Sequence, residues 1–157
     1  MIRVLGVDPG SRFTGWGIVE MDKNRLRHVA HGVISTKSGD PLPARLSVIH
    51  KGLLGVVAEF SPQEAGVEQI FSAKNTLSAL KLGHARGVAL LALEESSVPI
   101  TEYTALQVKS AVAGYGKAAK EQVQEMVKRL LSLPEVPPED GADALAVAIC
   151  HGRTRST

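Results

Sequence analysis

The sequence is short of three things, and each shortage closes off a class of protein. It holds a single cysteine, Cys150, among 157 residues, so no disulfide can form within the chain and a disulfide-stapled scaffold is excluded. Cys150 stands in the apolar run "ADALAVAIC", where a small buried thiol in a reducing compartment is the expectation. No stretch approaches the ~18 consecutive apolar residues of a membrane span. The first apolar run, Ile2 to Val7, is too short for a secretory leader and is cut by Asp8-Pro9-Gly10. A cytoplasmic protein is expected. Aromatic residues make up only 4% of the chain, so each one has to be weighed singly.

Strong net charge is also lacking, at +2. The cations are nevertheless grouped, from Lys74 to Arg86 and from Lys109 to Arg129, which hints at an acidic partner. A chain of this length suits one domain that buries about two thirds of the surface its unfolded form exposes.

The first third alternates strand and turn: Ile2 to Val7, Thr14 to Glu20 and Leu26 to Ser35, separated by "DPGSRF" and "MDKNR". Leu46, Ile49, Leu53, Val56 and Phe60 recur at spacings of three and four, which predicts a helix from Leu42 to Phe60 stopped by Ser61-Pro62. "AGVEQI" predicts a strand, "SAKNTLSALKLGHARGVALLALEES" a long helix, and "VPITEY" a last strand. Helices then follow near Thr104 to Ala113, Lys120 to Leu133 and Asp140 to Arg153. Gly83 and Gly87 inside the long helix suggest close approach of a neighbouring backbone. The expected fold class is α/β, a five-stranded mixed sheet with helices on both faces. Residues 1–153 form one domain and 154–157 a disordered tail.

Four carboxylates deserve separate weighing. Asp8 directly ends a strand buried on both faces, where it either closes an Asx turn or binds a metal ion. Glu68 lies inside "GVEQI", in a strand expected to be central, where an unpaired carboxylate costs several kcal/mol; a structural salt bridge or a metal would explain it. If these two strands pair in parallel, both acids sit at the carboxyl ends where strand order reverses, the place where ligands gather in such sheets. Asp140 and Asp143 are spaced to share one helix face, either as a capping pair or as ligands. Four converging acids would repel unless countercharged. An all-oxygen donor set without zinc-type His/Cys spacing favours Mg²⁺ or Mn²⁺. Two such ions suit in-line hydrolysis of a phosphodiester.

"GVDPGSRFTGWGIV", "VEQIFSAKNTLSALKLGHARGVA", "QVKSAVAGYGKAAKEQVQEMV" and "DGADALAVAI" resemble the bacterial RuvC family of Holliday junction resolvases, in order and spacing, through nearly the whole chain. The resemblance implies a ribonuclease H-like fold, a homodimer, and paired symmetrical nicks across a four-way DNA junction in recombination and repair. It also implies work beside the RuvA and RuvB branch-migration proteins. On that pattern the catalytic, metal-binding tetrad is Asp8, Glu68, Asp140 and Asp143, holding two Mg²⁺ with Mn²⁺ able to substitute. Glu64 and Glu139 then stand as bystanders.

Phe71 is either a core residue or, by the same resemblance, an aromatic wedge that stacks on a base near the cut. Lys74, Lys81, Arg86, Lys109, Lys117 and Lys120 read singly as solvated surface charges and as a group as phosphate contacts. Lys109 and Lys120 are expected nearest the acids, and Arg12 is a further candidate. The five histidines show no mutual metal-ligand spacing. Three alternatives accompany this reading: an actin-like ATPase or kinase fragment, suggested by the Asp-x-Gly hairpin, a module that binds junctions without cutting, and a nuclease of the same fold acting on another nucleic acid.

Overall fold

Strand β1 (Ile2–Asp8) is buried through its middle and has strands on both sides. It pairs antiparallel with β2 (Phe13–Asp22), from Ile2 opposite Met21 to Asp8 opposite Gly15. β2 in turn pairs antiparallel with β3 (Arg25–Ser35). On its other side β1 runs parallel to β4 (Glu64–Glu68), and β4 runs parallel to β5 (Ile100–Tyr103). The order across the sheet is therefore β3-β2-β1-β4-β5. The computed structural model describes residues 1–69 and 75–155.

Side chains alternate across the sheet. One face, with Leu5, Val7, Ile18, Ala65 and Val67, packs on helices α1 (Leu42–Phe60) and α2 (Thr76–Glu95). The other, with Val4, Val19 and Tyr103, packs on α3 (Ala105–Ala113), α4 (Lys120–Leu130) and α5 (Glu139–Thr154). Cys150 is free and buried in this second core. No described helix is long and apolar enough to cross a membrane.

Helix α5 lies directly on the sheet because glycines clear its path. A Cβ on Gly6 would stand 2.1 Å from the Ala144 carbonyl oxygen, and one on Gly15 would stand 2.1 Å from that of Asp140. Any larger residue at either position would lift the helix and the acids it carries.

The anticipated elements all occur, with three differences of substance. Among the described residues no atom lies within 4 Å of a Cβ added at Gly83 or Gly87, so neither glycine admits a described neighbour. The expected tail is held further than Arg153: Thr154 completes α5, and the Arg155 guanidinium donates to both oxygens of Glu64, at 3.0 and 2.7 Å. The α5 N-cap is Pro138, so Asp140 and Asp143 lie inside the helix and form no capping pair.

Candidate active site

Asp8 and Glu68 are the last residues of two parallel neighbours, one step beyond the Val7–Val67 pair. Both lie on the α5 side of the sheet, in phase with Gly6 and Gly66, whose added Cβ atoms would meet α5. Their carboxyl groups come within hydrogen-bonding reach of one another. Asp140 and Asp143 enter from above, in the opening turns of α5 seated on Gly15. The reversal of strand order between β2-β1 and β4-β5 thus brings together the four acids that the sequence singled out.

The electrostatics of this basin are adverse to bare carboxylates. Burial, followed by the charges of Glu68, Asp143 and Asp140, pushes the pKa of Asp8 up to about 8. Burial and Asp143 raise Glu68 above the usual carboxylate range, against the opposing effects of the Asp8 hydrogen bond, Lys109 and Lys120. Asp143 is also raised, chiefly by burial, although Lys120 pulls the other way. A turn-closing role for Asp8 finds no support, because the turn after β1 is held by Thr14, whose hydroxyl donates to the Gly10 carbonyl at 2.9 Å. Among the described residues no three His, Cys, Asp or Glu side chains are already closed into a coordinating shell.

The cations lie to one side. A cavity of about 250 Å³ is lined by Glu68 and Asp143 together with Lys109 and Lys120. Lys120 Nζ stands 3.6 Å from Asp143 Oδ2 and also contacts Glu139. Burial works against its ammonium, but Glu139 and Asp143 outweigh that and hold its pKa above the ordinary lysine value. Glu139 is therefore not a distant bystander: it grips the lysine that faces the basin.

A profile of the crossover junction endodeoxyribonuclease RuvC family matches residues 4–151. The chain belongs to the RuvC family. The RuvC of Syntrophotalea carbinolica is 59% identical over 150 residues, covering 96% of this chain and 93% of its own. That of Geobacter metallireducens is 55% identical over 153 residues, covering 98% and 93%. The solved structure of T. thermophilus RuvC in complex with Holliday junction substrate matches with a TM-score of 0.91 at 38% identity, covering 96% of this chain and 93% of that one. The yeast mitochondrial Holliday junction resolvase Ydc2 matches at a TM-score of 0.65 and 14% identity, a likeness of fold alone. The architecture is the ribonuclease H-like fold of RuvC.

The remaining residues expected to hold DNA divide sharply in this RuvC chain. Arg12, Lys81 and Lys117 are exposed. Phe71 and Lys74 lie outside the described residues. Arg86 is not a surface cation: its side chain is 16% exposed, Nε donates to the Glu68 carbonyl oxygen at 3.3 Å, and Nη2 forms an ion pair with Glu102. It is turned inward to the part-buried end of β4, where the Glu68 carbonyl accepts its Nε, and reaches the exposed Glu102 at the edge of β5.

Sequence reasoning missed two other groupings. Glu64 accepts from His151 Nε2 at 2.6 Å as well as from Arg155, and His151 Nδ1 meets the Tyr103 hydroxyl at 2.7 Å. This network ties α5 to the start of β4 through Glu64, the end remote from the basin, and to β5 through Tyr103, which stands opposite Glu68. Arg45, which the periodicity placed merely within α1, is buried and bonds to Ser11 and Thr36. A cation interrupting an apolar helix stripe was the available signal.

Proposed function

We propose that this RuvC-family chain is a structure-selective endonuclease that resolves four-way DNA junctions by paired symmetrical nicks. The observation that carries the reading is the convergence of Asp8, Glu68, Asp140 and Asp143 on a partly buried basin where Asp8 cannot comfortably ionise alone. A partly buried cluster of oxygen donors in that state fits divalent cations better than any ligand the protein itself supplies. The four acids would hold two Mg²⁺ ions, with Mn²⁺ able to replace them. Bound there, such ions supply an activated water and stabilise charge on the leaving oxygen.

The chain's own groups do the rest. Glu68 is held in place by Arg86 through its carbonyl, and α5 is held at a fixed height by Gly6 and Gly15. Lys109 and Lys120 present positive charge beside Glu68 and Asp143, where a scissile phosphate would need it. Two nicks in equivalent strands call for two basins related by a two-fold axis, hence a homodimer. The exposed Leu77, Leu80 and Leu91, with Gly83 and Gly87 between them, support α2 as its contact surface. The family match over residues 4–151 sets aside an actin-like ATPase fragment. Cooperation with RuvA and RuvB is the corresponding proposal for partners, and cytoplasmic residence for location.

The deciding experiment offers the chain a synthetic four-way junction, plain duplex and an RNA/DNA hybrid, with and without Mg²⁺, and maps the products. Symmetric nicks confined to the junction and dependent on Mg²⁺ are expected. Equal cutting of hybrid or duplex would overturn the junction assignment, and binding with no cutting under any metal would reduce the chain to a binding module.

A further inference from the structure

We infer that Arg12 and Phe13 form a second DNA-contact platform, on the β2 side of the acidic basin. In it the Phe13 ring stacks on a base flanking the scissile phosphate and Arg12 takes the adjoining phosphate. The inference rests on the reading of the chain as a nuclease and adds to it the grip on the strand opposite the lysines.

Placement comes first. Gly15 lies opposite Asp8 in the β1–β2 pairing, and its α face looks at the Asp140 carbonyl. Side chains two apart in a strand share a face, so Phe13 is on the same face, about 7 Å further along and past the start of α5. Phe13 thus flanks Asp8 and Asp140 on the β2 side, whereas Lys109 and Lys120 line the cavity on the side of α3 and α4.

The surface presented is suited to nucleic acid. Phe13 is 43% exposed in a chain with only three phenylalanines, and the guanidinium carbon of Arg12 lies 5.2 Å from its ring centroid. A cation and an aromatic face in that relation offer one group for phosphate and one for a base. Stacking of this type tolerates any base, which a structure-selective enzyme requires of its general contacts.

The loop that carries the pair is built to stay still. Arg45, 7% exposed, donates from Nη2 to the Ser11 carbonyl at 2.9 Å and from Nε to Thr36 Oγ1 at 3.2 Å. Thr36 Oγ1 donates to the same Ser11 carbonyl at 2.6 Å, while the Thr36 amide donates to the Arg12 carbonyl at 2.9 Å. Both carbonyls immediately before Phe13 are therefore fixed, that of Ser11 by the buried Arg45 and Thr36 side chains and that of Arg12 by the Thr36 amide. Such preorganisation removes the ordering cost that a mobile loop would bring to a contact.

The test uses the full chain and its F13A, F13Y and R12A variants. Binding is followed in Ca²⁺ on a four-way junction and on a set of junctions carrying one abasic site at each nucleotide around the nick. F13A should bind the intact junction about ten-fold more weakly, and F13Y should retain affinity, since the ring and not its edge makes the contact. One abasic position should weaken the wild type by a similar factor and F13A hardly at all. R12A should lower the slope of log affinity against log salt by about one. Because Phe13 is partly exposed, the melting temperatures of the variants should stay close to the wild type, separating contact loss from unfolding. Abasic penalties that are the same in F13A and wild type at every position would overturn the platform, as would unchanged F13A affinity. Wild-type preference for junction over duplex reports on the functional reading separately. The abasic comparison applies to whichever DNA is bound, and absence of all DNA binding would overturn both.

Discussion

Asp8 shows at the scale of a single residue how stability and activity are set against each other. Its carboxyl is buried among three acids and held up to about pH 8, so the metal-free protein would be more comfortable without its charge. Asp8→Asn should therefore raise the melting temperature of the metal-free protein while abolishing cleavage, with junction binding intact or tighter because one repulsive charge is gone. Melting curves, gel shifts and cleavage assays on one preparation check this, and an unfolded or non-binding variant would count against it. Arg86 makes the complementary case. It was expected on the DNA and instead supports Glu68 from behind. Removing it as Arg86→Met takes the guanidinium from the part-buried Glu68 carbonyl and leaves the exposed Glu102 to water, a loss of about 1 kcal/mol in stability. Cleavage should fall much more than junction affinity, and the salt dependence of binding should stay unchanged. A reduced salt slope would return Arg86 to the DNA surface.

At the scale of elements, the sequence made most of the architecture readable because each element carries its own local pattern. Alternation and turn residues marked β1 to β3, and the three-and-four spacing marked α1. Thr104 and Gln107 close a capping box at the start of α3 where a helix was anticipated. The acids were legible for a different reason: each broke a local rule, a charge at the end of a buried strand or inside a central one, and such breaks concentrate at functional sites. Contacts between distant elements left no comparable mark. The Arg86 side chain spans from α2 to β4, Glu64 joins an early strand to the end of the chain, and Arg45 reaches the β1–β2 loop, so none of the three could be foreseen from spacing. The glycines of α2 illustrate a half-read signal, since they did mark a bare surface but not one met by another described residue. A helix face with Leu80 and Leu91 more than half exposed beside them is poorly suited to water. Leu80→Glu with Leu91→Glu should convert a dimer to monomer in sedimentation at micromolar concentration and leave the helical signal intact. Wild type that sediments only as monomer, both free and on DNA, would contradict the assignment of α2.

Over the whole molecule, charge is arranged so that the two ends of the sheet respond to pH in opposite senses. At the basin, the folded-state pKa of Asp8 lies above its ordinary value of 3.8, so the folded protein binds more protons than the unfolded one between that value and about 8. Stability in the absence of metal should therefore fall as pH rises through this window. At the far end, Arg155 and His151 hold Glu64 down at about 2 from 4.5, despite partial burial, so its contribution is present above pH 4.5 and lost as pH falls toward 2. The metal-free protein should be most stable in mildly acid solution, between the two transitions. Divalent ions change only one of them. Mg²⁺ binding the folded basin should raise the melting temperature at pH 8 and flatten the upper limb, because it removes the repulsion that burial magnifies, while the acid limb to which Glu64 contributes stays in place. Glu64→Gln should weaken the acid limb, the remainder coming from Glu20, whose carboxyl Arg27 and Arg3 hold below the usual range against its burial, and should leave the Mg²⁺ effect untouched. Ca²⁺, which takes more ligands at longer distances, should stabilise the fold and support junction binding without supporting cleavage, and Mn²⁺ should support both. Melting curves from pH 3 to 9 in EDTA, Mg²⁺ and Ca²⁺, at matched ionic strength, decide the matter. A profile that Mg²⁺ shifts equally at every pH, or cleavage that survives exhaustive metal removal, would show that the four acids do not act as one metal-binding unit.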